Sequence, residues 1–257
     1  MRMRKKRNFD ARMQACADLL IARGANGILN MKEAAETYRA LADFDAEFGE
    51  SLKGSPVVLE IGCGKGGFVI ELAKKEPNAR YLALEKMSNV ILTPMEEVKK
   101  QGVENIRFLN IRAECLPCYI PEGSLDAIYL NFSTPLPKLG YATQRLTHRN
   151  FLEVYKKLLK KGGRILQKTD DREFFEFSLE EYAACGFTLE KVDYDLHKEG
   201  NPEWNIVTEY EQNWVERGLP IHRVEAVYNG KNMPERASVV KAENSAFFDG
   251  IFLVGSI

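Results

Sequence analysis

The sequence predicts an α/β fold, a mostly parallel sheet with helices on both faces and an antiparallel edge. Three observations carry that reading. From Val57 onward, apolar runs of strand length alternate with amphipathic helical segments, the rhythm of a parallel sheet. A glycine-rich turn, Leu59-Glu60-Ile61-Gly62-Cys63-Gly64-Lys65-Gly66-Gly67, joins the first of these strands to the first helix. The run from Leu125 to Phe132 is nearly all apolar, as in a strand buried on both faces, until Pro135 and Pro137 forbid further ladder pairing. That Pro-x-Pro loop lies at the carboxyl end of its strand, where open α/β sheets bind ligands.

Residues 8–23 read as an amphipathic helix, with Met13, Cys16, Leu19, Leu20 and Ala22 near one face and Gly24 and Gly27 ending it. A second helix is expected over 31–47. Strands follow at 57–61, 81–85, 106–111, 125–132 and 163–168, and helices at 66–76, 93–101, 148–160 and 172–184. One helix start is sharply marked: Thr93 as N-cap, Pro94 at the first helical position and Glu96 three residues after the cap. A proline inside a helix costs about 3 kcal/mol, so a helix begun at Ser88 is expected to break or restart at Thr93. After Gly186 the rhythm changes to a strand at 187–196, a loop with Gly200 and Pro202, a helix at 208–217 and a strand at 220–228. Two late strands joined in this way would form the antiparallel edge. The chain thus divides into a basic tail and helical segment over 1–52, a main domain over 53–229, and a C-terminal extension over 230–257. Phe247, Phe248, Ile251, Phe252, Leu253 and Val254 make that extension apolar enough to pack on the domain.

Bulk properties narrow the function. A chain of 257 residues with 45% hydrophobic content suits one decorated domain. The net charge of -1 excludes a global basic field. Local basic runs remain at Arg2, Arg4, Lys5, Lys6 and Arg7, and at Lys156, Lys157, Lys160, Lys161 and Arg164. Five cysteines, an odd number without a signal peptide, argue for a reducing cytoplasmic setting. Cys115 and Cys118 form a lone CxxC with no second pair and no nearby histidine, so no metal is expected. No apolar run approaches membrane-spanning length, so no membrane association is expected, and Asp10, Arg12 and Asp18 interrupt any signal-like segment.

The glycine turn fits two templates. Gly62, Gly64 and Gly67 satisfy the dinucleotide pattern GxGxxG. Glu60, Gly62, Gly64 and Gly66 fit the ExGxGxG loop of S-adenosylmethionine-dependent methyltransferases. Glu85, at the end of the second strand, suits both, since an acid there accepts hydrogen bonds from ribose hydroxyls. The loop therefore points to an adenosine ligand and leaves NAD and S-adenosylmethionine open. No GxxxxGK[ST] is present, which excludes a phosphate-binding nucleotide loop.

Seven segments occur in one order: LEIGCGKGGF, ALEK, IYLNFS, LTHRNFL, KTDDREFFEFS, TEYEQNW and HRVEAVY. In this the chain resembles the bacterial tRNA (guanine-N7)-methyltransferases. The resemblance implies a seven-stranded methyltransferase sheet, S-adenosylmethionine as methyl donor, and a guanine in the variable loop of tRNA as target. It implies a donor site at Glu60, Gly62, Gly64, Gly66, Glu85, Arg112 and Thr134, and target-side positions at Lys138, Asp170, Thr208 and Glu211. Spacing alone offers plainer readings for the latter. Lys138 would be an exposed loop lysine, Thr169 and Asp170 would cap the next helix, and Thr208 with Glu211 would form a capping box.

The chain departs from the family pattern in three places. Arg112 stands where the family has an acid beside the adenine. Thr134 and Leu136 replace the aspartate and tryptophan of NFSDPWPK. After Lys138 the sequence reads LGYATQRL, so only Arg145 remains of a basic cluster that would grip phosphates. These changes keep two alternatives in view: a methyltransferase of the same fold with another substrate, and a weakened relative that binds cofactor or RNA without turnover. Glu114 is the acid that would substitute for the lost aspartate. No residue is assigned as catalytic from the sequence.

Overall fold

The computed structural model describes residues 5–22 and 41–230. In chain order its elements are α1 (Phe9–Ala15), β1 (Leu20–Ala22), α2 (Phe44–Phe48), β2 (Val57–Ile61), α3 (Gly67–Lys75), β3 (Arg80–Leu84), α4 (Ser88–Gln101), β4 (Ile106–Leu109), β5 (Leu125–Asn131), α5 (Arg149–Leu158), β6 (Leu159–Thr169), α6 (Arg172–Ala184), β7 (Thr188–Asp193), α7 (Glu209–Val215) and β8 (His222–Val227).

One sheet holds all eight strands in the order β1-β4-β3-β2-β5-β6-β8-β7. Pairing is parallel from β1 to β6, and β8 runs antiparallel to both β6 and β7. Helices cover both faces. Leu59, Ile61, Ile128, Leu130 and Ile165 pack with Phe151, Leu152, Tyr155 and Phe175 on one side. Tyr81, Ala83 and Phe108 pack with Phe68, Leu72, Ile91 and Met95 on the other. Burial on both faces is what the near-continuous apolar strands require. The strand order reverses direction between β2 and β5, so a crevice opens above their carboxyl ends.

The structure corrects five expectations. Among the described residues the sheet has eight strands, not seven, because Leu20 pairs with Phe108 and Ala22 with Leu109 at the edge of β4. The segment 8–23 is therefore not one helix: α1 stops at Ala15, and the following apolar residues satisfy an open strand edge instead. The helix expected over 31–47 is not continuous. Residues 41–43 are non-helical, and α2 starts afresh with Asp43 capping the Asp45 and Ala46 N–H groups; 31–40 lie outside the described residues.

The last two corrections concern helix starts. α4 runs unbroken from Ser88 through Pro94 to Gln101. Thr93 caps nothing, since Lys6 Nζ donates to its hydroxyl. Glu96 does not close a capping box either, because Arg12 holds it through bonds of 2.6 and 2.7 Å. Pro94 is buried against the bare backbone of Gly66, and a Cβ added there would stand 2.4 Å from the Pro94 Cβ. Tertiary packing thus offsets a proline that local propensity alone rejects. At α6 the cap is Asp171, which accepts from Phe174 N at 2.8 Å, and not Asp170. The C-terminal extension beyond residue 230 lies outside the described residues.

Candidate active site

The glycine turn between β2 and α3 is bent in a way that requires glycine. Gly62, Gly64 and Gly66 have φ of 85°, 55° and 80°, a region that side chains with a Cβ avoid. The Gly62 and Cys63 N–H groups both donate to Leu84 O, at 2.8 and 3.0 Å, and tie the turn to β3. A Cβ built on Gly62 meets no atom within 4 Å. Space above the turn is therefore open to a ligand.

Two clefts adjoin over the strand ends. One of about 380 Å³ is lined by Gly62, Glu85, Arg112, Glu114, Phe132 and Thr134 among others. The other, about 430 Å³, is lined by Glu60, Gly62, Gly64, Phe68, Thr208 and Tyr210 among others. Gly62, Asn131 and Phe132 line both, so the two form one groove of a size common for cofactor sites.

The groove floor carries buried polar atoms without partners. Glu60 is 4% exposed, and its Oε1 accepts from Asn131 Nδ2 at 3.1 Å. Glu60 Oε2, Asn131 Oδ1 and Ser133 Oγ have no hydrogen-bond partner among the described residues. Burial pushes the Glu60 carboxyl up to about 7, with Asn131 and Lys168 pulling the other way. Unmet acceptors of this kind call for a ligand that brings donors or positive charge. Glu85 is held ready at the end of β3. Its Oε1 accepts from Met87 N at 2.8 Å, and Asn110 Nδ2 donates to its backbone O at 2.7 Å. These features fit S-adenosylmethionine, which has a cationic methionine end and a ribose with two hydroxyls.

Arg112 does not fill the cleft. Its side chain is half-exposed and paired with Glu114 at 2.7 Å, which raises its pKa further. The same pair occupies Glu114. Across the groove, the loop after β5 is bent twice, with Phe132 and Leu136 at φ of 52° and 49°. Such conformations cost bulky residues roughly 1–3 kcal/mol each, and the surroundings hold both. Phe132 N donates to Lys168 O at 2.8 Å, and Arg145 donates to Leu136 O from Nε and Nη2, at 3.4 and 3.1 Å. Arg145 is 8% exposed and lies 4.3 Å from the centre of the Phe177 ring. It braces the loop from behind and is not presented to phosphates, which corrects the expectation from sequence. Thr134 is exposed where it lines the smaller cleft, and Lys138 is exposed further along this loop.

The remaining target-side positions separate. Asp170 accepts from the Tyr210 hydroxyl at 3.2 Å, and the Tyr210 ring lies 4.9 Å from that of Phe132. Thr208 caps α7 by accepting from Glu211 N at 3.1 Å, and it also lines the larger cleft. Glu211 is fully buried. Its carboxylate accepts from Lys168 Nζ at 2.5 Å and from Asn205 Nδ2 at 2.8 Å, and it bonds His197 Nε2 at 2.8 Å. The sequence reading missed Lys168, Asn131 and Tyr210 as site residues. Only the fold shows that Asn131 and Tyr210 line the groove and that Lys168 lies behind it, bonded to Asn205, Ile206 and Glu211. Among the described residues no group of three or more His, Cys, Asp or Glu is placed to hold a metal, and no helix is long and apolar enough to cross a membrane.

Comparison with known proteins agrees with this geometry. Residues 54–224 match a family described as putative methyltransferase. The tRNA (guanine-N(7)-)-methyltransferase of Macrococcus caseolyticus (strain JCSC5402) is 42% identical over 171 residues, 66% of this chain and 81% of that protein. That of Bacillus subtilis (strain 168) is 40% identical over 171 residues, 66% of this chain and 80% of that one. The fold is similar to the crystal structure of the 16S rRNA methyltransferase KamB, with a TM-score of 0.56 and 15% identity over 76% of this chain and 97% of that one. With a methyltransferase sheet, a glycine-floored groove and relatives of this identity and coverage, the chain belongs to the tRNA (guanine-N7)-methyltransferase family.

Proposed function

We propose that this protein methylates N7 of a guanine in the variable loop of tRNA, in the cytoplasm, with residues 53–229 as the working unit. The observation that carries the reading is the single groove whose floor presents Glu60 and Glu85 and whose far wall presents Thr134, Phe132 and Tyr210. When bound, S-adenosylmethionine supplies an electrophilic methyl group on its sulfonium. Glu60, Gly62, Gly64 and Gly66 would hold its methionine side, Glu85 its ribose, and the cleft rimmed by Arg112 its adenine.

Guanine N7 carries a lone pair that is unprotonated at neutral pH, so no general base is required. The protein's contribution is alignment and exclusion of water, which can supply most of a rate enhancement. Thr134 offers the base edge a hydroxyl where a carboxylate would give a charge-assisted bond. Lys138, Asp170 and the Thr208–Tyr210 turn surround the place of the target nucleotide, and Glu211 supports that turn from inside.

The test is incubation with labelled donor and total tRNA from cells lacking the modification. Label in 7-methylguanine at the variable loop is the expected result; none, with donor-bound folded protein present, rejects the reading. One observation favours a second reading, a same-fold methyltransferase for another substrate: the loop after β5 is uncharged at Thr134, Leu139 and Tyr141, and all three are exposed. Label appearing in a different RNA or small molecule would select it.

A further inference from the structure

Lys168 is an unusual residue for its place. It is the penultimate residue of the interior strand β6, is 6% exposed, and has its Nζ 5.5 and 5.8 Å from the ring centroids of Phe68 and Phe132. An ammonium is rarely buried unless it is paired and fully hydrogen-bonded. Here all three donors are used: Glu211 Oε2 at 2.5 Å, Ile206 O at 3.0 Å and Asn205 Oδ1 at 3.1 Å. Three anchors from one segment, 205–211, converge on a single atom. The other end of the same residue fixes the opposite wall, because Lys168 O accepts from Phe132 N at 2.8 Å and holds Phe132 at positive φ. The two walls then meet directly, with Tyr210 against Phe132 at 4.9 Å. A closed ring results, running from the Lys168 carbonyl through Phe132, Tyr210 and Glu211 back to the Lys168 ammonium.

We propose that Lys168 is a positioning residue for the target base: it locks segment 204–211 against the Phe132 loop and so sets the gap in which the guanine is held. This rests on reading the groove as the site of tRNA methylation. Lys168 touches neither reacting atom. Its effect passes through Tyr210, Thr208 and Phe132, which line the groove, whereas on the donor side Glu85 and Gly62 hang from β3 and Lys168 reaches Glu60 only through its charge.

The test is the neutral pair Lys168→Met with Glu211→Gln, made together so that no buried charge is left alone. Hydrogen exchange of 204–212, affinity for S-adenosylmethionine by calorimetry, and kcat/KM for tRNA are measured on the full chain. The expected result is at least tenfold faster exchange in 204–212 with β2 and β3 unchanged, donor affinity within threefold of wild type, and kcat/KM for tRNA down at least tenfold. Asn205→Ala, which removes one anchor and keeps the ion pair, should show a smaller change of the same kind, and it carries the test if the double variant does not fold. Unchanged exchange, unchanged kcat/KM for tRNA, or an equal loss of donor affinity overturns the proposal. If the wild-type protein does not methylate tRNA, the substrate reading fails instead, and exchange together with donor affinity still decides whether Lys168 locks the target wall alone.

Discussion

Replacing Glu60 by glutamine should stabilise the ligand-free protein at alkaline pH and weaken its hold on the methyl donor. Glu60 is almost completely buried, and its carboxyl rises from an ordinary 4.5 to about 7 because burial penalises the charged form. That rise corresponds to roughly 3 kcal/mol, at about 1.4 kcal/mol per pH unit. The folded state binds the proton more tightly than the unfolded chain, so the stability it confers is fully present below pH 4.5. It is lost as pH climbs to about 7 and is absent at pH 8. Glutamine does not titrate, and its side-chain oxygen can still accept from Asn131. Urea unfolding without donor should therefore show the variant gaining on wild type by about 3 kcal/mol between pH 4.5 and pH 8. A difference that changes by less than about 1 kcal/mol over that range would refute the reasoning. Calorimetry supplies the complementary arm. At pH 6.5 wild type should release about half a proton or more on binding the cationic donor, and the variant none, with weaker affinity.

Gly66→Ala should cost about 2–4 kcal/mol by thermal melt, since φ is 80° and the new Cβ would collide with the buried Pro94 ring; an unchanged melting temperature would mean that α4 is not packed on this turn. Arg145→Ala should lose about 1–3 kcal/mol through the Leu136 carbonyl and the Phe177 ring and lower activity, yet leave the salt dependence of tRNA binding unaltered. A log–log salt slope reduced by about one would instead make Arg145 a phosphate contact. Asp171→Ala should cost about 1 kcal/mol as a lost cap with activity kept, while Asp170→Ala should lower kcat/KM for tRNA with stability kept; the reverse pattern would exchange their roles. Thr134→Asp should raise kcat/KM for tRNA about tenfold, the worth of a charge-assisted bond over a neutral one, and no gain would show that position 134 does not meet the base.

What the sequence showed most clearly were features set by local chemistry. Glycines at 62, 64 and 66 announced a turn whose φ values demand them, and Pro135 and Pro137 announced the end of β5. Arg172–Ala184 emerged as a helix with the predicted ends. The misreadings came where distant residues decide. Thr93, Pro94 and Glu96 spell a helix start, but Lys6, Gly66 and Arg12 claim all three side chains. Leu20 to Ala22 continue a helical pattern, yet the open edge of β4 offers them more. In the same way, Arg145 and Lys168 are ordinary basic letters in a sequence. Only the tertiary structure shows that one braces a loop and the other joins two walls.

The bracing of the Phe132–Arg145 loop from its inner side has an evolutionary consequence. Its course is dictated by atoms that contact only protein: the Lys168 carbonyl, the Leu136 carbonyl, and the Arg145 guanidinium against Phe177. Nothing in that scaffolding depends on which side chains stand at Thr134, Leu139, Tyr141 or Thr143, all of which face solvent. Such an arrangement lets a lineage rewrite the recognition surface one residue at a time while shape and stability stay constant. A threonine at 134 and an uncharged run from Leu139 to Gln144 are then features the architecture tolerates, and selectivity can drift while the groove over Gly62 and Glu85 keeps its shape.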